Sequence, residues 1–186
     1  MEHLGTKELE TNRLILRRFT INDAEKMFNN WANDDEVTKY LRWQSHKSIN
    51  NSIGFLEYLT KNYCQNNVYD WAIILKEINE PIGSIGVVNR KDDIKMVEIG
   101  YCIGKKWWNK GITSEVLNRI IDFFFNEVGV NRIEAFHVPE NKISGKVMTK
   151  CGMKYEGLMR QAFLNNNGKL CDIIHYGIIA EDFIKK

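Results

Sequence analysis

Glu98-Ile-Gly-Tyr-Cys-Ile-Gly-Lys-Lys-Trp-Trp-Asn-Lys-Gly-Ile-Thr-Ser-Glu115 is the stretch that decides the fold. It opens as a short apolar strand, passes through a compact turn holding Gly104 and Gly111, and enters a helical pattern at Thr113. The first turn of a helix carries unpaired backbone N–H groups and the positive end of the helix dipole, so a strand, a glycine turn and a helix start together make a cradle for an anion. Lys105, Lys106 and Lys110 form the one local basic cluster and lie in this turn. Two phosphate motifs are excluded. The chain has no Gly-x-Gly-x-x-Gly, and Ile112-Thr113 follows Gly111 where Lys-Ser/Thr would close a P-loop.

Working outward, 186 residues suffice for one domain with a full core, so a single domain over 1–186 is expected. A formal charge of +2 with scattered basic residues argues against direct nucleic-acid binding. Cys64, Cys102, Cys151 and Cys171 stand far apart with no Cys-x-x-Cys and read as reduced thiols. His3, His46, His137 and His175 show no ligand spacing, so no metal is expected. No apolar run reaches spanning length and Met1 to Glu10 is too polar for a secretion signal, which predicts a cytoplasmic protein without membrane attachment.

Along the chain, Arg13 to Phe19 alternates as a first strand. A helix follows, with Asn22 and Glu25 spaced as a capping box and Ala24, Met27, Phe28 and Trp31 on one stripe. Asp34 to Trp43 carries a second helical pattern, and a third starts at Ser48 and runs through Ile49, Ile53, Leu56 and Leu59. Trp71 to Lys76 and Ile82 to Val88 form a hairpin about Asn79-Glu80-Pro81, and Met96 to Ile103 feeds the glycine turn. The helix from Thr113 to Val128 stops at Gly129, and the next strand, Arg132 to Val138, should run parallel to Met96–Ile103 because a helix separates them. Pro139-Glu140-Asn141 starts another helix that stops at Gly152. Tyr155 to Phe163 and Lys169 to Ile179 close the chain as a hairpin about Asn165–Gly168. The order gives an α/β fold: a mixed, mostly antiparallel sheet of about seven strands with one parallel pair and helices on both faces.

The segments Glu98–Tyr101, Trp108–Glu115, Asn141–Ser144 and Lys150–Gly157 together resemble the GNAT superfamily of acyl-CoA N-acetyltransferases. More narrowly, with Glu10–Arg17 and Asp172–Ile179, they resemble the branch that acetylates the N-terminal amine of ribosomal proteins. The resemblance covers almost the whole chain. It implies acetyl-CoA as donor, with its pyrophosphate on backbone N–H groups of Asn109, Lys110, Gly111, Ile112, Thr113 and Ser114. It also implies a splayed pair of parallel strands, Glu98–Ile103 and Arg132–Val138, between which the pantetheine lies against Tyr101, Cys102 and Ile103. Thr113 stands where the family motif has glycine or alanine.

The chemistry is attack of a neutral amine on a thioester, held at about 3 Å. An α-amine of pKa about 8 is already partly neutral at pH 7, whereas a lysine near about 10.4 is not, so a weak base suffices for an N-terminus. Glu98, a carboxylate inside an apolar strand, is the candidate base. The family's tyrosine acid falls on Met148, so Ser144, one turn after Asn141, is the candidate to stabilise the leaving sulfur, with Tyr176 and Tyr101 as alternative donors. Asn141 either caps the helix or orients the pantetheine. Trp31, Tyr40 and Trp43 are the candidate acceptor wall, and Asp34, Asp35, Glu36 and Asp70 could attract a cationic acceptor. The expected acceptor is a protein N-terminus. The alternatives are a small amine (antibiotic, polyamine or amino acid) or a non-catalytic acyl-CoA sensor. The final hairpin and the Trp-rich first third each offer a surface for a homodimer.

Overall fold

The computed structural model describes residues 1–184. Its centre is β3 (Asp70–Leu75), an apolar run whose alternate residues are buried on opposite sides: Trp71, Ile73 and Leu75 in the larger core, Ala72 and Ile74 in a second one. A strand buried on both faces needs no polar alternation, which is why the sequence is continuous. It is one of eight strands in the described residues, in the order β1-β2-β3-β4-β5-β6-β8-β7. They are β1 (Leu9–Glu10), β2 (Leu14–Arg17), β4 (Glu80–Lys91), β5 (Met96–Ile103), β6 (Arg132–His137), β7 (Lys154–Leu164) and β8 (Leu170–Ile179), besides β3. Among the described residues only the β5–β6 pair is parallel. The strand beyond the expected seven is β1, two residues that pair Leu9 with Leu16 and Glu10 with Ile15, too short to show a period in sequence.

Short helices α1 (Ala24–Met27), continued by a π-helical turn over Phe28–Ala32, and α2 (Asp35–Thr38) and the longer α3 (Ile49–Asn62) cover one face through Met27, Trp31, Leu56 and Leu59. The other face carries α4 (Ile112–Phe123), with Val116, Leu117, Ile120 and Ile121 inward, and α5 (Lys142–Lys150); α6 (Ala180–Ile184) follows β8.

Three local expectations change. The capping box that opens the first helix is Thr20 with Asp23, not Asn22 with Glu25, because Asp23 is also drawn to Arg17, whose two terminal nitrogens both donate to it at 2.8 Å. After Phe123, α4 widens into a turn of π-helix over Phe124–Val128, which lets the consecutive Phe123 and Phe124 both reach full burial before Gly129, at φ 74°, ends it. The second helix is a single turn, Asp35–Thr38, rather than Asp34 to Trp43. The carbonyls of Thr38 and Trp43 instead accept from the side-chain amide of Asn166, in the β7–β8 turn, at 3.0 and 3.2 Å.

Trp71 is fully buried, meets Phe123 and Phe124 edge-on, and donates from Nε1 to the Lys7 carbonyl at 2.6 Å. Trp71→Ala should lower unfolding stability by about 3–5 kcal/mol, as read from the urea midpoint at unchanged slope.

Candidate active site

The site begins where β5 and β6 part. They pair at only three positions, Met96 with Arg132, Val97 with Ile133 and Glu98 with Glu134, although β5 runs on to Ile103 and β6 to His137. A register shift in β4 between Val87 and Asn89 lies beside the same point and bends the neighbouring ladder. Beyond Glu98 the sheet is open, and the gap joins two cavities of about 430 and about 510 Å³. Tyr40, Leu41, Tyr101, Cys102, Asn141 and Ser144 line both.

The larger cavity contains every residue expected to hold the donor: Tyr101, Cys102, Ile103, Asn109 to Ser114, Asn141 and Ser144. Asn109 and Gly111 take positive φ, 59° and 73°, which turns the loop so that α4 starts at the cavity wall. The N–H groups of Ile112, Thr113 and Ser114 have no helical carbonyl ahead of them. Lys110 stands in this turn, and Lys142, Lys146 and Lys150 recur at i, i+4 and i+8 along α5 on the opposite rim. None of these four lysines forms an ion pair among the described residues. This half fits a ligand bearing several phosphates.

At the junction, the phenol of Tyr101 lies 2.8 Å from the Ser144 hydroxyl and also donates to the Ser144 carbonyl at 3.3 Å, tying β5 to α5. Burial pushes the Tyr101 phenol well above its ordinary pKa. Asn141 precedes α5 but makes no side-chain cap bond, so its amide is left facing both cavities. Met148, in place of a tyrosine, is buried against the smaller cavity. The Cys102 thiol is 3.4 Å from the Ser84 hydroxyl, and burial raises its pKa to about 11, so it stays protonated and is a poor nucleophile.

The smaller cavity is mostly apolar. Tyr40 and Trp43 form its wall together with Leu41, Phe55, Phe136 and Phe163. Trp31 does not: it is fully buried behind the wall against Phe19, because its stripe faces the helix–sheet core. Glu98 is 7% exposed and accepts from Arg42 at 3.0 Å; the Arg42 guanidinium sits over the rings of Phe136 and Phe163 at 5.5 and 5.7 Å. Asp70 and His46 also line it; the His46 Nδ1 is 2.8 Å from the Ser52 hydroxyl, and burial lowers its pKa. Tyr176 lies outside both cavities. It is in register with Ala135 and packs behind α5 beside His137 and Tyr155, at ring distances of 5.6 and 6.0 Å. Asp34 and Asp35 line neither cavity, whereas Glu36 lies at the donor side, paired with Lys105.

The profile of the acetyltransferase (GNAT) domain matches residues 13–154. The chain belongs to the GNAT acetyltransferase family. An uncharacterised N-acetyltransferase of Bacillus subtilis (strain 168), YoaA, is 34% identical over 171 residues, 92% of this chain and 96% of its own length. The [ribosomal protein uS5]-alanine N-acetyltransferase of Escherichia coli (strain K12) is 26% identical over 160 residues, 84% of this chain and 82% of its own. A crystal structure of a GNAT acetyltransferase from Bacillus anthracis superposes with a TM-score of 0.82 at 27% identity, covering 94% of this chain and 99% of that one. As a GNAT N-acetyltransferase the protein uses acetyl-CoA and an amine acceptor. No group of His, Cys, Asp and Glu suited to a metal ion occurs among the described residues, and none of their helices is long and apolar enough to cross a membrane.

Sequence reasoning missed two parts of this GNAT site. The lysines of α5 were signalled by their helical spacing. Arg42 had no signal, since its partner is 56 residues away. Arg42→Ala should leave Glu98 unpaired and cost about 1–2 kcal/mol, less than for a fully buried pair because the guanidinium is 54% exposed. Amide exchange through Leu41–Lys47 should quicken while α4 stays protected.

Proposed function

We propose that this GNAT enzyme acetylates the α-amine of a protein N-terminus by direct attack in a ternary complex. The observation that carries the reading is the pair of cavities meeting at Tyr101 and Ser144, one rimmed by lysines, the other walled by aromatic side chains. Two unlike substrates can then meet through the open sheet without a covalent enzyme intermediate. Lys110, Lys142, Lys146, Lys150 and the first turn of α4 would hold the phosphates of acetyl-CoA, which supplies the acetyl thioester. An α-amine loses its proton about two pKa units more easily than a lysine side chain, which suits a cavity whose carboxylates are few and in which Glu98 is already paired. The uS5-alanine specificity of the Escherichia coli relative favours the same acceptor class.

The Ser144 hydroxyl, backed by the Tyr101 phenol at 2.8 Å, is placed to meet charge developing on a leaving sulfur. This pair takes the role expected of a tyrosine at Met148, and Tyr176 has none.

The test is thiol release from acetyl-CoA with N-terminal peptides of ribosomal proteins, polyamines, aminoglycosides and amino acids, the donor-only rate being the blank. Peptides should lift release above the blank more than the other amines do; a larger effect of a polyamine or aminoglycoside moves the acceptor to the small-molecule class. Ser144→Ala and Tyr101→Phe should each lower kcat about tenfold or more, and the double variant little further, because the two hydroxyls act as a unit. Full activity in both single variants would remove the pair from the chemistry.

A further inference from the structure

On the face of the sheet that carries α1 to α3, Asp70 of β3, Gly86 of β4 and Gly100 of β5 stand in register across two strand pairs. A Cβ on Gly86 would come within 2.7 Å of the Tyr69 carbonyl oxygen, and one on Gly100 within 2.7 Å of a Val88 methyl. The floor between Asp70 and the opening beside β5 is therefore low: the Asp70 carboxyl lies over Gly86, 3.2 Å from where a Cβ there would stand, and a Val88 methyl is the side-chain group beside Gly100. Strands lie about 4.8 Å apart, so Gly100 is about 10 Å from Asp70 across this floor, a span that an amine and a bridging water can fill.

The two carboxylates of the acceptor cavity are differently engaged. Glu98 accepts from the Arg42 guanidinium at 3.0 Å, so its carboxylate is already engaged in holding the acceptor loop. The Asp70 side chain makes no hydrogen bond and no ion pair among the described residues, although Asp70 lines the same cavity. The titratable groups around it supply no counter-charge. From α3 the Tyr63 phenol donates to the main-chain carbonyl of Asp70 at 2.8 Å, not to its carboxylate. From β5 comes the Cys102 thiol, and from the acceptor loop His46, whose pKa burial lowers. Arg18, beyond β2, is spent over the Tyr63 ring at 5.3 Å. Burial alone accordingly lifts the Asp70 carboxyl to about 7.

We propose that Asp70, in place of Glu98, is the general base: its carboxylate takes the proton of the incoming ammonium, while Glu98, committed to Arg42, positions the acceptor loop. The inference rests on the acetyl-transfer reading above. The ammonium gives one proton to an Asp70 oxygen, directly or through water, and keeps the freed electron pair. That pair forms the N–C bond as the thioester C–S bond breaks. The second proton lost by nitrogen ends on the leaving sulfur, and Asp70 returns its own to solvent, so amide, thiol and one proton are the products.

The experiment measures kcat and KM across about pH 5.5 to 9 for the wild type, Asp70→Asn and Glu98→Gln with the best acceptor, and the melting temperature over the same range without acceptor. The wild-type kcat should rise along a limb near 7, Asp70→Asn should lose that limb and about a hundredfold or more in kcat, and Glu98→Gln should keep the limb and act mainly on KM. A carboxyl whose pKa is higher folded than unfolded makes the folded state bind the extra proton, so its contribution to stability falls as pH rises through neutrality. Wild-type melting should therefore fall relative to Asp70→Asn as pH climbs, and the difference should shrink in acid. A limb retained in Asp70→Asn, or lost in Glu98→Gln, overturns the role of Asp70 while acetyl transfer stands. The limbs of the wild type and Glu98→Gln decide the matter even if Asp70→Asn does not fold. A wild type that turns over no amine overturns the transfer reading and the role of Asp70 with it.

Discussion

A parallel pair of strands that stops pairing after three positions is the constraint on which the rest of this structure depends. Inside a sheet, main-chain N–H and C=O groups must be satisfied by a neighbour or left to another partner. Where β5 leaves β6, the backbone from Gly100 to Ile103 keeps its pairing with β4 on one side and has no strand partner on the other, the Ile103 carbonyl accepting from Trp108 Nε1 at 2.8 Å. Everything chemical gathers there. The N-terminus of α4 and the lysines of α5 lie on one side of the opening, and the aromatic wall on the other. Tyr101 and Ser144 stand between them. The strands on either side of the opening are held by two large cores of buried side chains.

Much of this was legible in the sequence because it is local. The strand from Met96, the glycine turn and the helix that follows are fixed by neighbouring residues: Gly111 takes a left-handed conformation, α4 starts beside it, and the anion cradle follows from geometry common to all helix starts. The hairpins and the parallel crossover follow from turn residues and strand spacing in the same way. What could not be read is set by distant contacts. The segment after Thr38 has the apolar pattern of a helix, yet its carbonyls are taken by Asn166, 128 residues from Thr38, and its Arg42 by Glu98. Trp31 and Trp43 look alike as aromatic positions near the front of the chain, but one is core and the other wall. Tyr176 has suitable chemistry, but the register of β8 against β6 puts it behind α5.

Glu98 and Asp70 show why residue type alone is a poor guide to role. Both are carboxylates on one face of the sheet, and the sequence draws attention to Glu98 because it interrupts an apolar strand. The fold gives Glu98 a guanidinium and gives Asp70 none. The difference lies in which loop passes over which strand, and a loop held by the tip of the final hairpin belongs to the topology rather than to any motif.

An opening that runs from one face of the sheet to the other also bears on traffic. On the proposed reading, donor and acceptor would reach the junction through separate mouths, so neither would block the path of the other, and each product could depart by the door through which its parent came. Such a passage would impose no queue: the spent carrier would not have to leave before the acetylated amine, and an acceptor too long to be engulfed could present only its end while the remainder stayed outside.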